Sequence, residues 1–104
     1  MRPIDVLPKD LEVVLEILDR FVPGMEVRAF GSRVTGNARR HSDLDLVIMT
    51  EQPLDVTVLA GLNAAFSESS LPFTVDVLDW AALAENARGF IREGSTVIRK
   101  AEGS

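Results

Sequence analysis

The sequence predicts an α/β or α+β domain, a small mixed β-sheet flanked by helices, and three observations lead there. Long segments carry apolar residues at helical spacing. Short apolar, β-branched runs lie between them, and Gly or Pro stands at the boundaries. Helices with one apolar stripe must bury it, and the short runs supply a sheet to bury it on.

The elements follow in chain order. From Lys9 to Phe21, the residues Leu11, Val14, Leu15, Leu18 and Phe21 recur at helical spacing, with Glu12, Glu16 and Asp19 off that face. Pro23-Gly24 stops this helix. Met25 to Phe30 reads as a strand broken by Gly31-Ser32. Leu44 to Met49 is a second strand, apolar enough on both faces to be central. Pro53 opens a second helix with Val58, Leu59, Leu62, Ala65 and Phe66 on one side. Phe73 to Leu78 is a third strand. Asp79 is placed to cap a last helix from Trp80 to Glu93, which Gly94 ends. Ser95 to Lys100 fits a short edge strand. No repeat or linker divides the chain, so residues 1–104 are expected to form one domain.

Composition narrows the function. The chain has no cysteine, which removes disulfides and thiolate metal sites and fits a reducing compartment. Met1 to Asp5 lacks the layout of a signal peptide, and no apolar run approaches the roughly 20 residues that span a bilayer. A cytoplasmic protein is expected. The net charge of −5 argues against a nucleic-acid groove, which usually needs a basic face. The one dense basic cluster, Arg33, Arg39, Arg40 and His41, suits a triphosphate better than a duplex.

The chemistry concentrates between Gly31 and Leu46. Asp43 and Asp45 stand two apart at the start of an apolar strand, so their carboxylates share a face. Like charges that close repel, and a strand bound for the core has no structural use for them. A divalent cation resolves the conflict, and Mg²⁺ is commonly held by one or two carboxylates together with phosphate oxygens. Directly after the first strand, Gly31 permits close backbone approach and Ser32 can cap a short helical turn over Arg33 to Gly36. Free N–H groups at such a turn, with the Ser hydroxyl, make a phosphate-binding nest. Asp76 interrupts an apolar strand between Val75 and Val77, and a carboxylate there needs a partner. Arg33, Arg39 and Arg40 fit either triphosphate contact or ordinary loop solvation. His41 is read as structural, Trp80 as a core or interface aromatic, and Thr35, Asn37 and Ser42 as turn formers.

Gly31-Ser32, ten residues, then Asp43-Leu44-Asp45 resembles the signature of the DNA polymerase β-like nucleotidyltransferase superfamily, most closely its minimal nucleotidyltransferases. The likeness runs from the first helix to Ile98 and includes Gly36 and the Leu71-to-Trp80 stretch. By this resemblance the fold is the polymerase β-like one, and Gly31, Ser32 and Arg33 lie at the nucleotide. Asp43, Asp45 and Asp76 become the catalytic metal ligands. The implied chemistry is in-line attack on the α-phosphorus of a nucleoside triphosphate, ATP foremost, with pyrophosphate leaving and two Mg²⁺ ions stabilising the attacking and leaving oxygens.

The resemblance also implies a partner. Many small members pair with a separate helical protein, either a HEPN-type toxin, which would make this chain an antitoxin, or a substrate-binding subunit. The expected acceptor is a hydroxyl, such as a tyrosine on that partner, and the expected state is a hetero-oligomer. The catalytic parts use nearly all of the chain, leaving little to hold an acceptor. Phe90, Ile91, Val97 and Ile98 are candidates for an apolar docking patch. The alternative is a binding module that docks its partner with turnover incidental. Its mark would be a lost carboxylate, and none is lost. Antibiotic adenylylation is disfavoured because no substrate domain follows.

Overall fold

Asp55 shows how local chemistry sets the elements of this computed structural model, which describes residues 4–35 and 43–102. Its carboxylate accepts from the Thr57 backbone N–H at 2.8 Å and starts a helix three residues later than Pro53 suggests. The Thr57 hydroxyl, which also donates to this carboxylate at 2.5 Å, and then the Thr57 N–H hold the Asp55 carboxyl below its ordinary range. In chain order the elements are α1 (Pro8–Phe21), β1 (Val27–Phe30), α2 (Ser32–Thr35), β2 (Leu44–Ile48), α3 (Val56–Glu68) and β3 (Val75–Asp79). A 3₁₀ turn (Trp80–Ala82), α4 (Glu85–Glu93) and β4 (Ser95–Arg99) complete the series.

The sheet order is β3-β2-β1-β4. β1 pairs antiparallel with both β2 and β4, and β2 pairs parallel with β3. A parallel pair needs a crossover, which α3 supplies. β2 is central, as its composition demands: Leu44, Leu46, Val47 and Ile48 are fully buried. Side chains alternate along a strand, so Leu44, Leu46 and Ile48 face one side with Val27 and Ala29 of β1, and join a core with Val14, Ile17 and Leu18 of α1 and Leu62 and Phe66 of α3. Asp45 and Val47 face the other side. Ile91 of α4 is buried but lies outside that core.

α1 opens with Pro8 in its first turn, where a missing N–H costs nothing. α1 and α3 touch closely at Gly61, where a Cβ would stand 2.8 Å from the Phe21 ring. A valine there overpacks the contact. We expect Gly61→Val to destabilise the fold by about 1–3 kcal/mol, read as a lower Tm, while nucleotide binding by the folded fraction is unchanged.

Ser95–Arg99 is an edge strand on β1, as its sequence fits. Two sequence expectations change. The last helix is shorter than the span from Trp80 to Glu93, because Leu83 and Ala84 are extended and divide the 3₁₀ turn from α4. Asp79 makes no capping hydrogen bond there. It is buried and accepts from the Thr50 hydroxyl and, at 2.6 Å, from the Leu54 N–H, while Ala81 N–H donates to the Thr50 hydroxyl oxygen at 3.0 Å. Asp79 thus joins the end of β3 to the approach to α3. Among the described residues, no helix is long and apolar enough to cross a membrane.

Candidate active site

Three strands bring the candidate residues together. Phe30, the last residue of β1, is paired with Asp45 of β2, and Asp45 is paired in turn with Asp76 of β3. Neighbouring strands are roughly 5 Å apart, so Asp45 and Asp76 are adjacent and emerge on the sheet face opposite the α1 and α3 core. The parallel register of β2 and β3 produces this match. Asp43, exposed, precedes β2 at the same end. Leu44, between the two aspartates, donates its N–H to the Thr74 carbonyl at 2.9 Å and locks the entries of β2 and β3 together.

The electrostatics follow from this crowding. Asp45 is half-buried and its pKa is raised above the ordinary 3.8, first by burial, then by the charge of Asp76, then by that of Asp43. Burial and two neighbouring carboxylates thus all disfavour the ionised form of Asp45. Among the described residues no set of three or more His, Cys, Asp or Glu side chains is gathered closely enough to hold a metal alone. Mg²⁺ does not require one, since it is usually bound through one or two carboxylates plus substrate phosphates. Asp45 with Asp76 meets that description, with Asp43 close enough to act on Asp45.

Gly31 follows Phe30 directly and has φ +83°, a conformation that disfavours side chains. The sequence suggested that glycine makes room for a ligand. The structure adds a nearer reason, because a Cβ at this position would lie 2.3 Å from Oδ2 of Asp45. Gly31 therefore permits the phosphate-loop candidate and the central carboxylate to coexist. Ser32 begins α2, and Val34 N–H closes the turn on the Gly31 carbonyl at 3.0 Å. Gly36, Asn37, Arg39, Arg40, His41 and Ser42 lie outside the described residues.

Arg33, expected at the nucleotide, makes contacts within the protein. It is 7% exposed, donates through Nη1 to the Asp5 carbonyl at 2.7 Å, and stacks with its guanidinium 4.3 Å from the centre of the Phe73 ring. The same residues, Asp5, Arg33 and Phe73, line a surface cleft of about 300 Å³. Neither Phe73 nor the Asp5 contact is legible in the sequence, since nothing local links them to Arg33. Trp80 is partly buried, with Arg88 and Arg92 each 5.2 Å from its ring, as befits a packing aromatic. Surface clefts of about 420 and 540 Å³ lie elsewhere, beside Phe66–Val75 and beside Gly24–Glu26 with Met49–Gln52.

Comparison with known proteins gives the family and the fold. The Haemophilus influenzae protein named Probable protein adenylyltransferase MntA is 48% identical over 99 residues, covering 95% of this chain and 87% of that one. A crystal structure of a toxin–antitoxin with AMP-PNP has a TM-score of 0.74 at 19% identity, covering 88% of this chain and 74% of its own. A tri-AMPylated Shewanella oneidensis HEPN toxin in complex with MNT antitoxin contains a chain with a TM-score of 0.67 at 17% identity, covering 90% of this chain and 72% of that one. At those identities the solved structures speak for the fold, a four-stranded mixed sheet flanked by helices. The nucleotidyltransferase domain family matches residues 11–99. The chain is a nucleotidyltransferase and belongs to that family.

Proposed function

We propose that this enzyme transfers AMP from ATP to a hydroxyl, a tyrosine on a small helical HEPN-type protein, and that it acts as the antitoxin of that pair within a hetero-oligomer. The observation that carries the proposal is the register of Asp45 with Asp76 beside Gly31. The 48% identity to a protein named as an adenylyltransferase supports the choice of AMP. The toxin–antitoxin complexes among the similar folds support the choice of partner.

In the proposed site Asp43, Asp45 and Asp76 would hold Mg²⁺, two ions by family resemblance, and the metal would supply charge to offset the triphosphate and polarise the reacting phosphoryl group. Gly31 and Ser32 lie along the phosphates. Asp76, exposed at its strand, meets the incoming hydroxyl and receives its proton. The hydroxyl oxygen forms a bond to the α-phosphorus as the bond to the β-phosphate oxygen breaks, and pyrophosphate leaves with that electron pair. Positioning by a rigid sheet supplies much of the rate.

Phe90 is 66% exposed and Val97 44%, while Ile91 is buried and Ile98 packs against the core. Two of the four residues expected to form a docking patch are thus available to a partner. Pyrophosphate release from ATP should be slow with the chain alone and should rise at least ~10-fold when the copurifying helical protein is added, because a bound acceptor is far more reactive than bulk water. Equal release with and without that protein would remove it as the acceptor.

A further inference from the structure

We infer that Arg33 is a positioning residue, a buried clamp that holds the Gly31-Ser32 loop in register with the strands carrying the three aspartates. The inference rests on the transfer activity proposed above and adds to it a residue that acts without touching the nucleotide.

The clamp has three attachments. Arg33 directly follows Ser32 and lies in α2, so its backbone is part of the loop itself. That backbone is fixed to the N-terminal segment, since Asp5 N–H donates to the Arg33 carbonyl at 2.7 Å while Arg33 Nη1 donates back to the Asp5 carbonyl at 2.7 Å. The guanidinium face lies 4.3 Å from the centre of the Phe73 ring. Phe73 stands three residues before Asp76. The next residue, Thr74, accepts through its carbonyl from Leu44 N–H, between Asp43 and Asp45. One guanidinium therefore touches the segment that positions all three carboxylates, while its own backbone positions Gly31 and Ser32. Arg33 is 7% exposed, so most of its surface is spent on contacts within the protein.

Arginine suits this duty and lysine does not. A planar guanidinium can stack on a ring and donate in its own plane at the same time, whereas an ammonium makes a point contact. The platform needs a ring but not a particular one. Tyrosine at position 73 keeps the face, and leucine removes it.

The test measures Mg²⁺-ATP affinity and the single-turnover rate of AMP transfer to the copurified helical protein, with the folded fraction checked by circular dichroism. The variants are Arg33→Lys, Phe73→Leu, Phe73→Tyr and the Arg33→Lys, Phe73→Leu pair. We expect Arg33→Lys and Phe73→Leu each to slow transfer by ~10–100-fold, since small misplacements in a reacting site have effects of that size. ATP affinity should change less than ~3-fold, the split that marks loss in the transition state rather than in ground-state binding. Phe73→Tyr should stay within ~3-fold of the natural rate, and the pair should be no slower than its worse member, because the two residues act as one unit.

Three results would overturn the clamp. A natural rate in Phe73→Leu would do so, and so would a lower Tm with unchanged rate per folded molecule, which is what a merely structural contact gives. The third is a large loss of ATP affinity in Arg33→Lys with Phe73→Leu unaffected, which would return Arg33 to the nucleotide. If the natural chain transfers nothing, the activity itself fails and the clamp with it. A natural chain that transfers normally while these variants match it loses the clamp alone.

Discussion

Asp45→Asn is expected to reduce nucleotidyl transfer by at least ~10³-fold, in line with the loss of a central electrostatic group in a phosphoryl-transfer site. Asparagine preserves the shape and the sheet pairing, so the fold survives. It should do more than survive. The Asp45 pKa is raised in the folded chain by burial and by its acidic neighbours. A carboxyl whose folded pKa is raised favours the native state while protonated, and that advantage disappears as pH climbs from the ordinary 3.8 through the folded value. Above that window the ionised carboxylate costs stability. In metal-free buffer near neutral pH the asparagine variant should therefore melt a few degrees higher than the natural chain, although solvent screening of a half-exposed group keeps the gain small. The gain should vanish below the ordinary pKa, where both side chains are neutral. Added Mg²⁺ with ATP should raise the Tm of the natural chain and leave the variant nearly unmoved. A variant that still responds to Mg²⁺-ATP as the natural chain does would remove Asp45 from the metal site.

Gly31→Val should have the second largest effect, and for two separable reasons. At φ +83° any side chain is strained, by about 1–2 kcal/mol for an ordinary L-residue. The new Cβ would also begin 2.3 Å from Oδ2 of Asp45, so that the carboxylate has to leave its position. The expected result is a lower Tm together with a loss of transfer of ~10²-fold or more in the folded fraction. Gly31→Ala shares both the backbone strain and the Cβ contact, and should fall between the two without rescuing activity. Full activity in the alanine variant would mean that the position of Asp45 beside the loop is unimportant to the reaction.

Asp45 and Gly31 also show how much of this protein was legible in its sequence. Asp43, Asp45, Gly31 and Ser32 lie within one short stretch, and their residue types conflict with a purely structural reading, so the sequence exposes them. Asp76 stands out as a candidate because a charge interrupts an apolar strand. Its exact neighbour does not, since the Asp45–Asp76 register depends on a parallel pairing that no local pattern encodes. Asp79 misled for the same reason. Before a helix an aspartate reads as a cap, but its partners Thr50 and Leu54 come from a distant loop that folding brings beneath it. The place of Arg33 in the motif says nothing of Phe73, which stacks on it and lies far along the chain. Elements set by periodicity and breakers came through with small shifts at their ends. The division between the 3₁₀ turn and α4 did not, because Leu83-Ala84 contains no breaker and is extended only in its tertiary setting.

The most direct measurement is intact mass spectrometry of the chain and its copurifying helical protein after incubation with ATP and Mg²⁺. The partner is expected to gain one or more AMP units, the chain itself none, and the gain should be absent with Asp45→Asn. A partner of unchanged mass, beside a chain that alone passes AMP at full rate to a free small molecule, would contradict the proposed transfer.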